Sequence, residues 1–292
     1  MKIALHVLAY DVNRYIGPML QNAAPWVDKI YLAYPSRPFG YISSSREQRT
    51  NPTQLEDIDL SGLGDKVEIL KGDWEFEEQT RNECLERAKR EGYDWLIIQD
   101  ADELYEDSSW ESLIATLRSQ ADIELYRTTW FTFWKSGRYV LEFANRTIKS
   151  ANVGFALRCL PHLHFVARRQ SNATKEQTLD FPCFHYGYVK SDQEILEKLT
   201  TWSHADEVRN RNTWFRLKWE NWNLGTRNLS PTDPTGWHRA IEFPFLQPSF
   251  AEHFNLPVQP SKKLPLSVLL ENRLFDARVE TLSALRRIKR RF

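Results

Sequence analysis

Residues Glu78–Glu103, EQTRNECLERAKREGYDWLIIQDADE, run from a polar helical pattern through a glycine stop into an apolar strand that ends in an acidic turn. The spacing predicts a helix over Glu78–Gly92, closing at the glycine, and a strand over Asp94–Gln99 whose apolar centre is buried on both faces. Asp100 and Asp102 flank Ala101, so in extended backbone their side chains share a face. Two hard oxygen donors on one face can hold a divalent cation, and carboxylate ligands favour Mg or Mn over Zn or Cu. The other reading is an acidic turn that caps a following helix, for which Asp107, Ser108 and Ser109 are suitable.

Upstream, Lys2–Ala9 reads as a strand, Arg14–Ala24 as a helix and Lys29–Ala33 as a second strand. A polar loop from Pro35 to Pro52 leads towards a third strand, Lys66–Leu70. Strands alternating with helices predict an α/β fold, a Rossmann-like and mostly parallel central sheet flanked by helices. In such sheets ligands sit beyond the carboxyl ends of the strands, where the acidic turn falls. Downstream, Ile123–Tyr188 is aromatic and strand-like, as antiparallel strands completing the sheet would be. Ser191–Asn223 reads as helical, Leu224–Leu264 as Pro-rich and irregular, and the end, LSVLLENRLFDARVETLSALRRIKRRF, as a basic amphipathic helix. The expected division is an α/β domain over residues 1–190 and a helical, irregular lobe over 191–292.

With 39 Lys+Arg against 39 Asp+Glu in 292 residues, the formal net charge is zero, which argues against a general nucleic-acid binder. Cys84, Cys159 and Cys183 are widely spaced and form no C-x-x-C, so neither a disulfide framework nor a thiolate zinc site is expected. A reducing, cytoplasmic setting fits, and no run approaches the roughly 18 to 20 apolar residues of a membrane span. The basic run Arg286, Arg287, Lys289, Arg290 and Arg291 after Leu269, Leu270, Leu274 and Phe275 allows peripheral contact with a membrane; a solvated helix end is the alternative. The chain holds 11 Trp, 11 Tyr and 16 Phe. Core packing is the expected fate of most, while Trp130, Trp134, Trp202 and Trp214 are candidates for a sugar-lining groove.

Three pieces, in order, resemble glycosyltransferases of the GT-A fold, close to the family 2 type. They are the opening HVLAYDVNRYIGPMLQNAAPWVDKIYLAY, the stretch Glu78–Glu103 and the segment Phe184-His185-Tyr186-Gly187-Tyr188. The resemblance covers roughly residues 1–190 and implies a nucleotide-sugar-binding catalytic domain that transfers a sugar, as a hexosyltransferase would, from a nucleoside-diphosphate sugar to a hydroxyl of a glycan, lipid-linked or protein acceptor. It implies that Asp102 ligates Mn or Mg, that Asp100 contacts metal or ribose, and that His185 completes the site. It places Arg81 and Asn82 against the donor and Ala9, Tyr10 and Asp11 around the base.

Each residue also has a plainer reading: an ion pair with Glu77 or Glu78 for Arg81, packing for Tyr10, a structural role for His185. One departure stands out. The family's aspartate after the second strand is replaced by Ala33-Tyr34-Pro35, which leaves Tyr34 to stack on the base. For a catalytic base the middle section offers Glu142 and Asp180, neither fixed by a motif. A non-catalytic carbohydrate-binding or scaffolding protein on the same fold is the rival expectation.

Overall fold

The computed structural model describes residues 1–119, 122–150, 153–260 and 263–289, with side chains through 285 in the last segment. β1 (Ile3–Leu8), IALHVL, is buried along almost its whole length and takes a central place in the sheet. α1 (Asn13–Ala23) buries Tyr15, Ile16, Met19, Leu20 and Ala23, the row that helical spacing predicts. β2 (Lys29–Pro35) follows; the loop after it contains a short helix, α2 (Ser43–Gln48), and leads to β3 (Val67–Gly72).

α3 (Glu77–Arg90) has Glu77 and Glu78 in its first turn and Arg87, Lys89 and Arg90 in its last, charges that match the helix dipole at both ends. Gly92, at φ 74°, takes the left-handed conformation that ends the helix at low cost. β4 (Trp95–Ile98) is fully buried. β1, β2, β3 and β4 are parallel, in the spatial order β3-β2-β1-β4; the inner strands β1, β2 and β4 are covered on both faces, and β3 forms the more exposed edge.

Beyond β4 the chain forms β5 (Glu103–Leu104), α4 (Asp107–Ser119), β6 (Leu125–Trp134), β7 (Ser136–Phe143), β8 (Val153–Arg158), β9 (Phe165–Ala167), β10 (Gln170–Ser171) and β11 (Glu176–Tyr188). β8 runs antiparallel to both β4 and β6, and β7 antiparallel to β6, so the expected antiparallel strands do complete the sheet. β11 runs parallel to β6 and antiparallel to the two-residue β5.

After residue 190 come α5 (Asp192–Thr201), α6 (Arg211–Trp214), a π-helical turn over Phe215–Glu220, β12 (Trp237–Glu242) and α7 (Leu266–Lys289). β12 corrects the expectation of an irregular Pro-rich stretch, because it pairs with β7 at the sheet edge. Pro234 and Pro244 lie outside the strand, where the missing N–H breaks no ladder.

α7 is held by its polar side: Asn272 and Asp276 accept from the Lys218 ammonium, and Glu280 accepts from Asn228. Leu266, Leu270 and Leu274 on its other side are exposed. The basic positions 286, 287, 289, 290 and 291 fall outside the residues whose side chains are described. Among the described residues no helix is long and apolar enough to cross a membrane.

The aromatic residues are mostly core. Trp134 on β6 is fully buried, with ring centroids 4.9 Å from Trp219 and 5.6 Å from Tyr188, and Ile195, Leu199 and Trp214 join the same cluster. That cluster packs residues after 190 onto β6, β7 and β11. Trp134→Ala is therefore expected to cost about 3–5 kcal/mol in denaturant unfolding. A loss below about 1 kcal/mol would show that the two segments do not depend on a shared core.

Candidate functional site

A cavity of about 730 Å³ opens at the carboxyl edge of β1 and β4 and is walled on the far side by residues of β11 and α5. That volume is in the range of nucleotide and drug-sized ligand sites. The loop after β1 contributes Tyr10 and Asp11, and the turn after β4 contributes Asp100 and Asp102. Asn51 fixes the first loop, its amide donating to the Ala9 and Pro35 carbonyls at 2.7 and 2.8 Å. Asp11 sits at φ 54°, and its carboxylate lies 3.6 Å from the Lys190 ammonium.

The pairing of β5 with β11 brings the two acidic-turn and histidine segments together. His185 stands opposite Glu103, and the Tyr186 N–H donates to the Asp102 carbonyl at 2.7 Å. As a result His185 Nε2 lies 3.8 Å from the Asp102 carboxylate, both on the cavity wall. Gly187 leaves room for this pair, since a Cβ there would stand 2.5 Å from His185 Nε2 and 3.1 Å from Asp102 Oδ2. Burial lowers the His185 pKa to about 4 although Asp102 pulls it upward, so the ring is neutral at pH 7 with a lone pair free on one nitrogen. Trp130 packs on that ring at 4.3 Å.

Asp100 does not share this freedom. Arg169, from the turn between β9 and β10, donates to it at 2.9 Å and to the fully buried Glu103 at 2.6 Å. Arg81 lies 3.6 Å from Asp100 and bonds Glu77 at 2.8 Å. Burial raises the Asp100 pKa, but Arg169 and Arg81 together overcome it and hold the group below the ordinary carboxylate range. For Glu103 burial wins, and its pKa rises to about 8. Asp100 is thus a partner of two guanidinium groups while it lines the cavity beside Asp102.

Asn82 does not line the cavity. Its side-chain amide exchanges two 2.8 Å hydrogen bonds with the backbone of Phe165, bracing α3 against β9. Tyr34 donates its hydroxyl to the Thr53 carbonyl at 2.8 Å and does not line the cavity. Ala9 is buried behind the loop. Glu142 is paired with Arg239 at 3.0 Å and with Arg146 at 3.2 Å, and neither it nor the exposed Asp180 lines the cavity. Of the four tryptophans proposed for a groove, Trp130 and Trp202 line the cavity; Trp134 and Trp214 are core.

No motif points directly to Arg169, Lys190 or Lys198. The available signal was indirect: Asp100 and Glu103 follow a buried strand, and buried carboxylates require cations. Among the described residues no three His, Cys, Asp or Glu side chains converge on one metal position. Asp102 and His185 are the pair that could hold a divalent cation, with other positions left to water and substrate oxygens, as Mg and Mn sites at phosphates commonly leave them. Several polar atoms of the site are buried without a partner, including Arg81 Nη1, Arg169 Nη1, Tyr10 Oη and Trp202 Nε1. Such orphans are costly in a closed core and useful where a polar ligand completes them.

No family model and no curated protein matches the chain. Solved structures show weak similarity over part of the chain. A putative nucleotide-diphospho-sugar transferase from Desulfovibrio desulfuricans G20 is 11% identical, with 70% of this chain and 90% of that chain covered and a TM-score of 0.38. A 4-diphosphocytidyl-2C-methyl-D-erythritol synthase from Anaerococcus prevotii is 10% identical, with 67% and 93% covered and a TM-score of 0.38. The mannosyltransferase PcManGT from Pyrobaculum calidifontis, solved with GDP-Man and Mn2+, is 12% identical with a TM-score of 0.31; 44% of this chain matches 35% of its length. Likeness at this level says nothing of chemistry.

His6, on β1 beneath the site, is fully buried and lies 3.1 Å from the Thr80 hydroxyl. Burial, followed by the nearby Arg81, depresses its pKa from 6.5 to about 3. The unfolded chain therefore binds a proton that the folded chain refuses, and stability falls as pH drops from 6.5 towards 3, by up to about 1.4 kcal/mol per pH unit. His6→Gln is expected to flatten part of that slope in melts between pH 7.5 and 4.5, leaving the share that His185 contributes above pH 4. An unchanged slope would mean that His6 is not held neutral.

Proposed function

We propose that the protein is a metal-assisted glycosyltransferase that moves a sugar from a nucleoside-diphosphate sugar to an acceptor hydroxyl. The observation that carries this reading is the convergence of Asp102 and His185 in a ligand-sized cavity at the carboxyl edge of the parallel strands. A divalent cation held there would neutralise charge on the diphosphate as it leaves. Tyr10 and Asp11 lie where the loop after β1 can receive the base, and Trp130 and Trp202 offer flat faces to a sugar.

In the transfer the bond from the anomeric carbon to the phosphate oxygen breaks with its electrons passing to the diphosphate. The acceptor oxygen bonds to that carbon, and its proton passes to a cavity carboxylate or to water. Asp100 serves this reaction from below, by keeping Arg81 and Arg169 in place. The chain divides in this reading into a donor-binding body, residues 1–190, and a lobe, 191–292, that closes the acceptor side.

A panel of nucleotide sugars with and without Mn tests the proposal. One donor is expected to be hydrolysed or transferred in a metal-dependent way. Asp102→Ala should abolish this, and His185→Ala should weaken Mn affinity tenfold or more. Gly187→Ala should weaken it too, by displacing His185. Sugar binding without nucleotide affinity or turnover would favour a carbohydrate-binding protein instead.

Peripheral contact with an anionic membrane through α7 belongs to the same proposal, supported by the exposed Leu266, Leu270 and Leu274. Removing residues 286–292 should reduce sedimentation with anionic liposomes, and equal sedimentation would remove this part of the reading.

A further inference from the structure

Six lysines and arginines line the cavity. Five are matched by carboxylates. Arg81 faces Glu77 and Asp100, Arg169 faces Asp100 and Glu103, Lys190 faces Asp11, Arg168 faces Glu207 at 3.1 Å, and Arg127 faces Glu176 at 2.7 Å. Lys198, in the last turn of α5, is the exception. Among the described residues its ammonium makes no hydrogen bond or ion pair, and it stands 5.2 Å from the centroid of the Tyr188 ring and 5.4 Å from that of Trp202.

Two aromatic faces fix the position of an ammonium group without neutralising it, because they offer a quadrupole and no opposing charge. The N–H groups turned from the rings keep their capacity to donate. In the same cavity Asp102 likewise has, among the described residues, no lysine or arginine within 4 Å. A site with one unmatched carboxylate and one unmatched ammonium is complementary to a ligand that brings both a cation and an excess of negative charge.

Resting on the proposed donor chemistry, we infer that Lys198 is the residue that selects a nucleoside diphosphate over a monophosphate, by donating to the terminal phosphate while Tyr188 and Trp202 hold its stem. Asp102 and His185 address the same phosphates through the cation, and Tyr188, under the Lys198 stem, follows His185 on the same strand. Lys198 comes from the segment after residue 190, so that segment takes part in donor recognition as well as closing the acceptor side.

Calorimetric titration with UDP against UMP and GDP against GMP, each with Mn and with EDTA, tests this. The wild-type protein is expected to bind one diphosphate at least about tenfold more tightly than its monophosphate. Lys198→Met should lower diphosphate affinity by about tenfold or more and leave the monophosphate within about twofold, as expected when one charge-assisted hydrogen bond is lost. Lys198→Arg should restore most of the preference. Unchanged monophosphate binding shows that the variant is folded; should the methionine form fail to fold, Lys198→Gln supplies the same comparison. A neutral variant that keeps the wild-type ratio, or a wild type with no preference for the diphosphate, overturns the inference. A wild type that binds no nucleoside diphosphate, with ADP, CDP and dTDP added to the set, defeats the nucleotide-sugar reading itself, and the role of Lys198 falls with it.

Discussion

Everything at the carboxyl edge of β4 depends on compensating the carboxylates that the strand delivers there. Asp100 is largely enclosed and Glu103 is fully buried, and a carboxylate taken from water costs several kcal/mol unless a cation meets it or, as burial favours for Glu103, a proton neutralises it. Arg169 meets both, and Arg81 adds a second cation to Asp100. Arg169 can approach because position 154 is glycine: a Cβ there would stand 2.5 Å from the Arg169 carbonyl. The charge cluster thus joins α3, the β4 turn and the β9–β10 turn into one rigid floor. Asp102 projects from that floor, two residues beyond the Asp100 that the two guanidinium groups hold.

Much of the parallel half was legible because its physics is local. Buried strands read as apolar runs, α1 and α3 carry helical periodicity, and Gly92 marks a stop. The charge floor was not legible, because Glu103 and Arg169 are 66 residues apart and meet only through tertiary structure. Asn82 shows a related limit. Arg81 and Asn82 form one motif in the text, yet adjacent helical positions face different ways. Arg81 turns to the cavity while Asn82 turns to β9. Glu142 could be read as a free acid only until β12 was placed, since its cross-strand neighbour is Arg239.

The tryptophans make the same point on one strand. Trp130, Thr132 and Trp134 share a face of β6, and the first two line the cavity. Trp134 does not, because the strand has by then passed under Trp214 and Trp219. Alternation predicts the face but not what lies over it. The covering elements come from residues after 190, so the extent of the cavity is decided by the part of the chain whose pattern is least regular.

This explains how a chain with no net charge can present a site for an anionic donor. Long-range attraction needs an excess of one sign, and pairing within the cavity cancels most of its charge. What is left is local: a carboxylate on the floor, an ammonium on the wall, and several orphaned polar atoms between them. A fold selected for stability alone would have satisfied those groups, since each costs free energy in the empty site. Their cost is recovered only when a polar ligand spans the gap, and groups left unsatisfied in this way give selectivity for the ligand that completes them all.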